Sequence, residues 1–226
     1  MSAAPRAGDA IAYHETLAAG WSGRYAAGGF KRRAEFFAQE VLPRLSPQGD
    51  WLDVGCGSGV FSRMLAGAGA QVLGLDGSPA MVEAARGASG AGVRFDVGRV
   101  EDVGALTATF DGAICLSVLE YLEAPDRALA AIAGRVKPGG RVAVSLPNRG
   151  STLRWAQRLA RGFAGSGAFA YLDSSRHLWT RAEAIELARG AGLEGEAVLG
   201  FDPVAPRALW PAISPSLWFL VARRRG

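Results

Sequence analysis

From residue 51 to residue 147, apolar runs of strand length alternate with helical patterns, and this alternation constrains the fold more than any other feature of the chain. "WLDVG" reads as a strand entering a glycine-rich turn, and residues 59 to 68 as the helix that leaves it. "QVLGLD" (71 to 76) is a second buried strand, followed by "SPAMVEAAR", where Ser78 can cap a helix and Pro79 can take its first position. "VRFDVG" (93 to 98) and "FDGAICLSV" (110 to 118) supply two more strands. "PDRALAAIAGRV" is a helix stopped by "KPGG", a turn into the strand "RVAVSLP" (141 to 147), and residues 31 to 45 form a helix ahead of the first strand. Strands separated by helices build a parallel sheet covered on both faces.

The pattern changes after Asn148. Up to Thr180 there is no buried strand, only the helical stretch "TLRWAQRLARGFAG" and a Gly/Ser/Ala-rich connection. Alternation resumes with the helix "TRAEAIELARGAG", the strand "EGEAVLGFD", a proline-rich loop from 203 to 215 and the strand "SLWFLVARR". Two strands joined without a helix imply an antiparallel last strand. The expected fold class is α/β, a doubly wound, mostly parallel sheet with a helical lid inserted at 148–180. With 226 residues, 49% of them hydrophobic, the chain suits one domain with a sizeable core, residues 1–30 forming an N-terminal cap.

Composition narrows the setting. Cys56 and Cys115 have neither disulfide-framework nor metal-ligand spacing, and nothing else reads as a metal site. No signal sequence or spanning run is evident, so a cytoplasmic protein without stable membrane insertion is expected. The net charge of +4 is mild, and its concentrations at Lys31–Arg33 and Arg223–Arg225 read as solvated faces.

The turn at 55 to 59 decides the ligand class. Gly55, Gly57 and Gly59 give close backbone approach at a helix N-terminus, which suits a nucleotide. The G-x-G-x-x-G phosphate fingerprint is not met, because position 60 is Val. Asp53 directly before the turn would repel a pyrophosphate but favour an ammonium or sulfonium, which argues against NAD and for S-adenosylmethionine. Asp76 ends the second strand 21 residues after Gly55, near the offset of a ribose-binding carboxylate; its alternative is to cap the next helix, where Ser78 competes.

"LDVGCGSG" at 52 to 59, "GLDGSPAMVEAAR" at 74 to 86, "VGRVEDV" at 97 to 103, "FDGAICLSVLEYL" at 110 to 122 and "VKPGGRVAVSLPN" at 136 to 148 resemble, in order and spacing, the successive motifs of class I S-adenosylmethionine-dependent methyltransferases, in particular the small-molecule quinone-pathway and secondary-metabolite branch. The resemblance spans about residues 30 to 200 and implies a seven-stranded, Rossmann-like sheet. It implies that Asp53, Gly55, Gly57 and Gly59 surround the methionine portion, that Asp76 holds the ribose diol, and that Gly77 and Met81 line the adenosine. Val100 and Glu101 fall on the adenine-contacting segment, where the Gly-Asp step common in the family is replaced by Gly98-Arg99. Leu116 and Ser117 would form the floor beneath the methyl group, and Arg33 lies where related quinone-pathway enzymes place an arginine against the cofactor carboxylate.

Methyl transfer needs a base only when the acceptor must lose a proton. Candidates are His177, Glu120, Tyr121, Tyr13 and Tyr25, with His177 and Tyr121 taken as the catalytic pair; Glu120-Tyr121 stands where relatives often carry Glu-His. His177 has the alternative of bonding backbone to fix its loop before a helix capped by Thr180. Tyr13, Tyr25, Trp155 and His177 are candidate substrate contacts; Tyr13 and Tyr25, with Trp21 and Phe30, have core packing of an N-terminal helix as their alternative. Arg154, Arg158 and Arg161 recur at helical spacing with an apolar face, fitting a pocket roof or a membrane-surface helix. A small, aromatic or lipophilic acceptor methylated at oxygen or nitrogen is expected. Nucleic acid is not expected as a partner, because the dense basic stripe and the Asn/Asp-Pro-Pro-aromatic run are missing. A protein acceptor, a non-catalytic S-adenosylmethionine-binding role and a homodimer stay open.

Overall fold

The computed structural model describes residues 20–88, 90–155, 175–205 and 207–226, together with residues 11 and 15. Seven strands form one sheet in the order β3-β2-β1-β4-β5-β7-β6. They are β1 (Gly49–Val54), β2 (Ala70–Asp76), β3 (Val93–Val97), β4 (Phe110–Leu116), β5 (Val136–Pro147), β6 (Leu193–Phe201) and β7 (Leu217–Arg224). Pairing from β3 to β5 is parallel, and β7 runs antiparallel to both β5 and β6; the proline-rich connection before it, expected to lack a helix, carries a short 3-10 helix at Arg207–Ala212 but, among the described residues, no crossover α-helix.

Side-chain alternation splits the core across the sheet. On one face Leu52, Val54, Ala113 and Cys115 pack with Leu129 and Ile132 of α4 (Pro125–Arg135) and with Ala184 and Ala188 of α5 (Arg181–Gly190). On the other, Trp51, Ile114 and Leu116 meet Phe36 of α1 (Gly28–Phe36) and Phe61 and Leu65 of α2 (Val60–Gly67). Ser78 caps α3 (Pro79–Gly87) by accepting from Met81 N at 3.2 Å, with Pro79 at its first position. Thr180 and Glu183 form a reciprocal capping box on α5.

Two local readings change. "KPGG" does not separate α4 from its strand: β5 starts at Val136, which pairs with Phe110, and the extra residues are absorbed by a register shift before Gly112. The helix expected over 31 to 45 starts at Gly28 and widens into a π turn at Phe37–Val41, just before Pro43, which has no N–H to give the preceding turn.

The insertion leaves and rejoins the sheet at a single point. Asn148 and Trp179 form a parallel bridge, with Trp179 N donating to Pro147 O at 2.9 Å and Arg149 N to Trp179 O at 3.1 Å. Residues 152–155 are helical; the remainder of the expected roof helix, with Arg158 and Arg161, lies outside the described residues.

Gly112 on β4 faces Trp51, and a Cβ there would run into the indole ring, whereas one on Gly134 in the last turn of α4 meets nothing. Gly112→Ala is expected to destabilise the protein by about 1 to 3 kcal/mol through overpacking, while Gly134→Ala stabilises it by about 0.5 kcal/mol. Urea midpoints at constant m-value check both.

Candidate functional site

The turn after β1 is built from three left-handed glycines, with φ of 73° at Gly55, 53° at Gly57 and 74° at Gly59. At Gly55 a side chain would also drive into Val118 Cγ2. The end of β2 stitches this turn in place: Leu75 O accepts Gly55 N at 2.7 Å and Cys56 N at 3.0 Å. Asp76 adds to both sides, Oδ2 accepting from Gly57 N at 2.8 Å and Oδ1 from Ser78 N at 2.9 Å.

A cavity of about 810 Å³ lies along this carboxyl edge, within the range of small-molecule sites. Its floor is Asp53, Gly55, Gly57, Leu116 and Ser117; one end is Asp76, Gly77, Met81, Val100 and Glu101; the other is walled by Trp21, Tyr25, Phe30, Phe61 and Arg33, with Tyr121 on the rim. Ile11 crosses the end at Asp76 and Gly77: a Cβ on Gly77 would sit 2.7 Å from its Cδ1. Trp21 and Tyr25 meet Phe30 edge to face at 5.6 and 5.2 Å.

Three predicted residues are placed elsewhere. Gly59 does not line the cavity; its missing side chain leaves room for Phe95, whose Cζ would lie 2.5 Å from a Cβ. Trp155 is 68% exposed and is not part of the lining. His177 also stands outside the lining: its Nε2 lies 3.0 Å from Leu122 O, and its N–H donates to Glu120 O at 3.3 Å beside that of Arg176 at 2.8 Å. This is the loop-fixing alternative, in which a ring nitrogen is committed to backbone. Tyr13 lies outside the described residues. Phe61, Arg127 and Arg176 are among the further lining residues, and no motif in the sequence marks them.

Charge is unevenly compensated. Asp53 is buried and accepts from Ser62 Oγ at 2.5 Å. Burial foremost, against that hydrogen bond, and then the charge of Asp76 push its carboxyl up to about 7. Among the described residues no basic side chain forms an ion pair with it. Arg33 is stacked near Phe61 and Phe219, its guanidinium carbon 5.4 and 5.8 Å from the ring centroids, and its Nε is buried without a partner. Behind the floor, Glu120 is buried with Oε2 unpartnered; burial pushes it up to about 7 even though Arg33, Arg154 and a hydrogen bond with Ser117 oppose the shift.

These features fit S-adenosylmethionine. A buried carboxylate without a cation suits an ammonium, an unsatisfied guanidinium donor suits a carboxylate, and Asp76 at the mouth suits a diol. Among the described residues no group of three His, Cys, Asp or Glu side chains could hold a metal ion.

Residues 52–144 match the family described as a methyltransferase domain. The ubiquinone biosynthesis O-methyltransferase of Xanthomonas axonopodis pv. citri (strain 306) is 36% identical over 180 residues, covering 74% of this chain and 73% of that protein. The same-named enzyme of Thiobacillus denitrificans is 34% identical, covering 66% of each. Among solved structures, magnesium protoporphyrin IX methyltransferase from Synechocystis PCC 6803 with bound SAH shares the fold at 20% identity, covering 96% of this chain and 95% of that one with a TM-score of 0.68. With an S-adenosylmethionine-shaped set of charges on the carboxyl edge of such a sheet, and a relative this similar over three quarters of the chain, the protein belongs to the class I S-adenosylmethionine-dependent methyltransferases.

Proposed function

We propose that the enzyme methylates a phenolic oxygen of a small, lipophilic aromatic acceptor. The observation that carries this is the aromatic wall of Trp21, Tyr25 and Phe30 facing the cavity beyond Asp53 and Arg33. Such rings offer apolar area and edge-to-face packing to a flat acceptor. The similar proteins named as ubiquinone biosynthesis O-methyltransferases support oxygen as the acceptor atom. Nucleic acid fits less well, since basic residues along the β5 and β7 strands are paired: Arg141 and Arg223 share Glu196 at 2.8 and 2.9 Å, and Lys137 meets Asp111 at 2.6 Å. Two buried free cysteines suit a reducing, cytoplasmic setting, and among the described residues no helix is long and apolar enough to cross a membrane.

S-adenosylmethionine supplies an electrophilic methyl group on a sulfonium whose charge is lost on transfer. The chain's part is alignment and exclusion of water. Asp53 holds the amino group, Arg33 the carboxylate and Asp76 the ribose diol, while Gly57 lets the backbone approach closely. Gly77, Met81, Val100 and Glu101 enclose the adenine. Leu116 and Ser117 support the reacting end, and Tyr121 borders the acceptor. In this reading the chain is one domain, with residues 1–30 as a cap and 148–180 as a lid, and His177 pins the return of that lid.

Calorimetric titration is expected to give micromolar binding of S-adenosylmethionine and S-adenosylhomocysteine and none of NAD. Asp76→Ala should weaken both by about 1 to 3 kcal/mol; unchanged affinity would remove the ribose role.

Asp53 titrates within the working range, so its sign can be tested. Its folded pKa of about 7 lies above the ordinary 3.8, so the folded state holds the extra proton between these values. The ligand-free protein therefore loses stability as pH rises from about 4 to about 7, on the order of 4 kcal/mol at most from this group. Asp53→Asn should raise Tm at about pH 8 and not at about pH 4.5, while abolishing the rise in cofactor affinity between about pH 6 and 8. Equal Tm gains at both pH values would refute an ionising Asp53.

His177→Ala should raise the KM for acceptor severalfold and leave the shape of the kcat profile unchanged across about pH 6 to 9. Loss of one limb of that profile would restore His177 as the base.

A further inference from the structure

β5 is apolar through its buried length except at Ser145, which is fully buried in the centre of the sheet between Leu116 of β4 and Phe219 of β7. A hydroxyl there needs partners, and it has two. Ser145 Oγ accepts from Arg33 Nη2 at 3.1 Å and from the backbone N–H of Ser117 at 2.8 Å. Arg33 arrives from α1 and Ser117 from the end of β4, 112 and 28 residues away in sequence.

Both donors belong to the cavity wall. Ser117 is held at φ 58°, one of two non-glycine residues with positive φ among those described, a conformation that persists only when its surroundings fix it. Arg33 lies against the Phe61 and Phe219 rings with its Nε unpartnered, so among the described residues the bond to Ser145 is the one hydrogen bond that sets its direction. Among the described residues, the Ser145 oxygen is the one atom that accepts a hydrogen bond from both the floor turn and the arginine.

We infer that Ser145 is a positioning residue: by accepting from both Arg33 and Ser117 it aims the guanidinium at the carboxylate of the bound amino-acid portion, in register with the floor under the reacting sulfur. The inference rests on the assignment of Arg33 to that carboxylate. No strand-forming residue without an oxygen at this position satisfies the two donors. Alanine strands both, and cysteine keeps the volume but offers only a weak acceptor.

The test compares S-adenosylhomocysteine with 5′-methylthioadenosine, which keeps the adenosine and thioether but lacks the amino-acid carboxylate and ammonium. Ser145→Ala and Ser145→Cys are expected to weaken S-adenosylhomocysteine about tenfold or more, the loss of one hydrogen bond to a charged group, and to leave methylthioadenosine within about twofold of wild type. The cysteine variant keeps the test available if the alanine variant folds poorly. Arg33→Gln separates the two layers. If it fails to discriminate between the ligands, the carboxylate assignment falls and the inference with it. If it discriminates but both Ser145 variants bind as wild type, the assignment stands and the positioning role is overturned. Equal weakening of both ligands by the Ser145 variants would also overturn it, because a general loss of packing does not distinguish a ligand with a carboxylate from one without.

Discussion

The carbonyl of Leu75 and the carboxylate of Asp76 hold the structure's functional edge together. Three amide groups of the glycine turn, at Gly55, Cys56 and Gly57, are bonded to those two consecutive residues of β2. A turn of three left-handed glycines is entropically the least defined stretch a chain can have. Tying it to the neighbouring strand makes it rigid without filling it with side chains. The consequences spread outward: Asp53 is fixed below the turn, α2 starts at a defined angle and delivers Phe61 and Leu65 to the core, and Ser62 one turn in reaches the Asp53 carboxylate. Asp76 thereby serves two tasks, bracing the turn with its oxygens while still lining the cavity.

A second constraint is electrostatic. Asp53 and Glu120 are both buried carboxyls pushed up to about 7, and neither has an ion-pair partner among the described residues. Burial of this kind is unfavourable in the ligand-free fold. The apolar, well-packed remainder of the framework offsets that cost, and a ligand cation beside Asp53 would relieve it there. The phosphates of a dinucleotide would instead be opposed by Asp53 once it is ionised.

Much of this was legible in the chain because periodicity records burial. The strands at 51–54, 71–76, 110–116 and 141–147 are mostly apolar where both faces are covered, and the proline-rich step from β6 to β7 gives away the antiparallel strand. The charge of Asp53 relative to its turn is equally visible, since adjacency in sequence is adjacency in space there. What escaped are facts set by distant partners. The ring of His177 is turned by a carbonyl 55 residues away, and nothing in "SSRHLWT" encodes that direction. Gly59 looks like part of a binding loop but answers to Phe95 on β3. "KPGG" has the composition of a turn, yet Val136 already pairs in the ladder and the glycines are taken up as a bulge. Ser145 reads as a tolerated polar residue in a buried strand until both of its donors are seen.

The two ends of the cavity are built by different means. The end at Asp76 and Gly77 is sheet edge and rigid turn, with Ile11 laid across Gly77 as its one described contact from the first 19 residues. The other end is assembled from Trp21, Tyr25 and Phe30 ahead of the sheet, with the short helical turn Leu119–Tyr121 at its rim, to which residues 176 and 177 are fastened by the Glu120 carbonyl. Changes in residues 20–30 or 175–177 therefore reach Tyr121 and the aromatic wall without passing through Asp53, Asp76 or the glycine turn. Such an arrangement lets the segments around the aromatic wall vary while the turn and its two carboxylates stay in place.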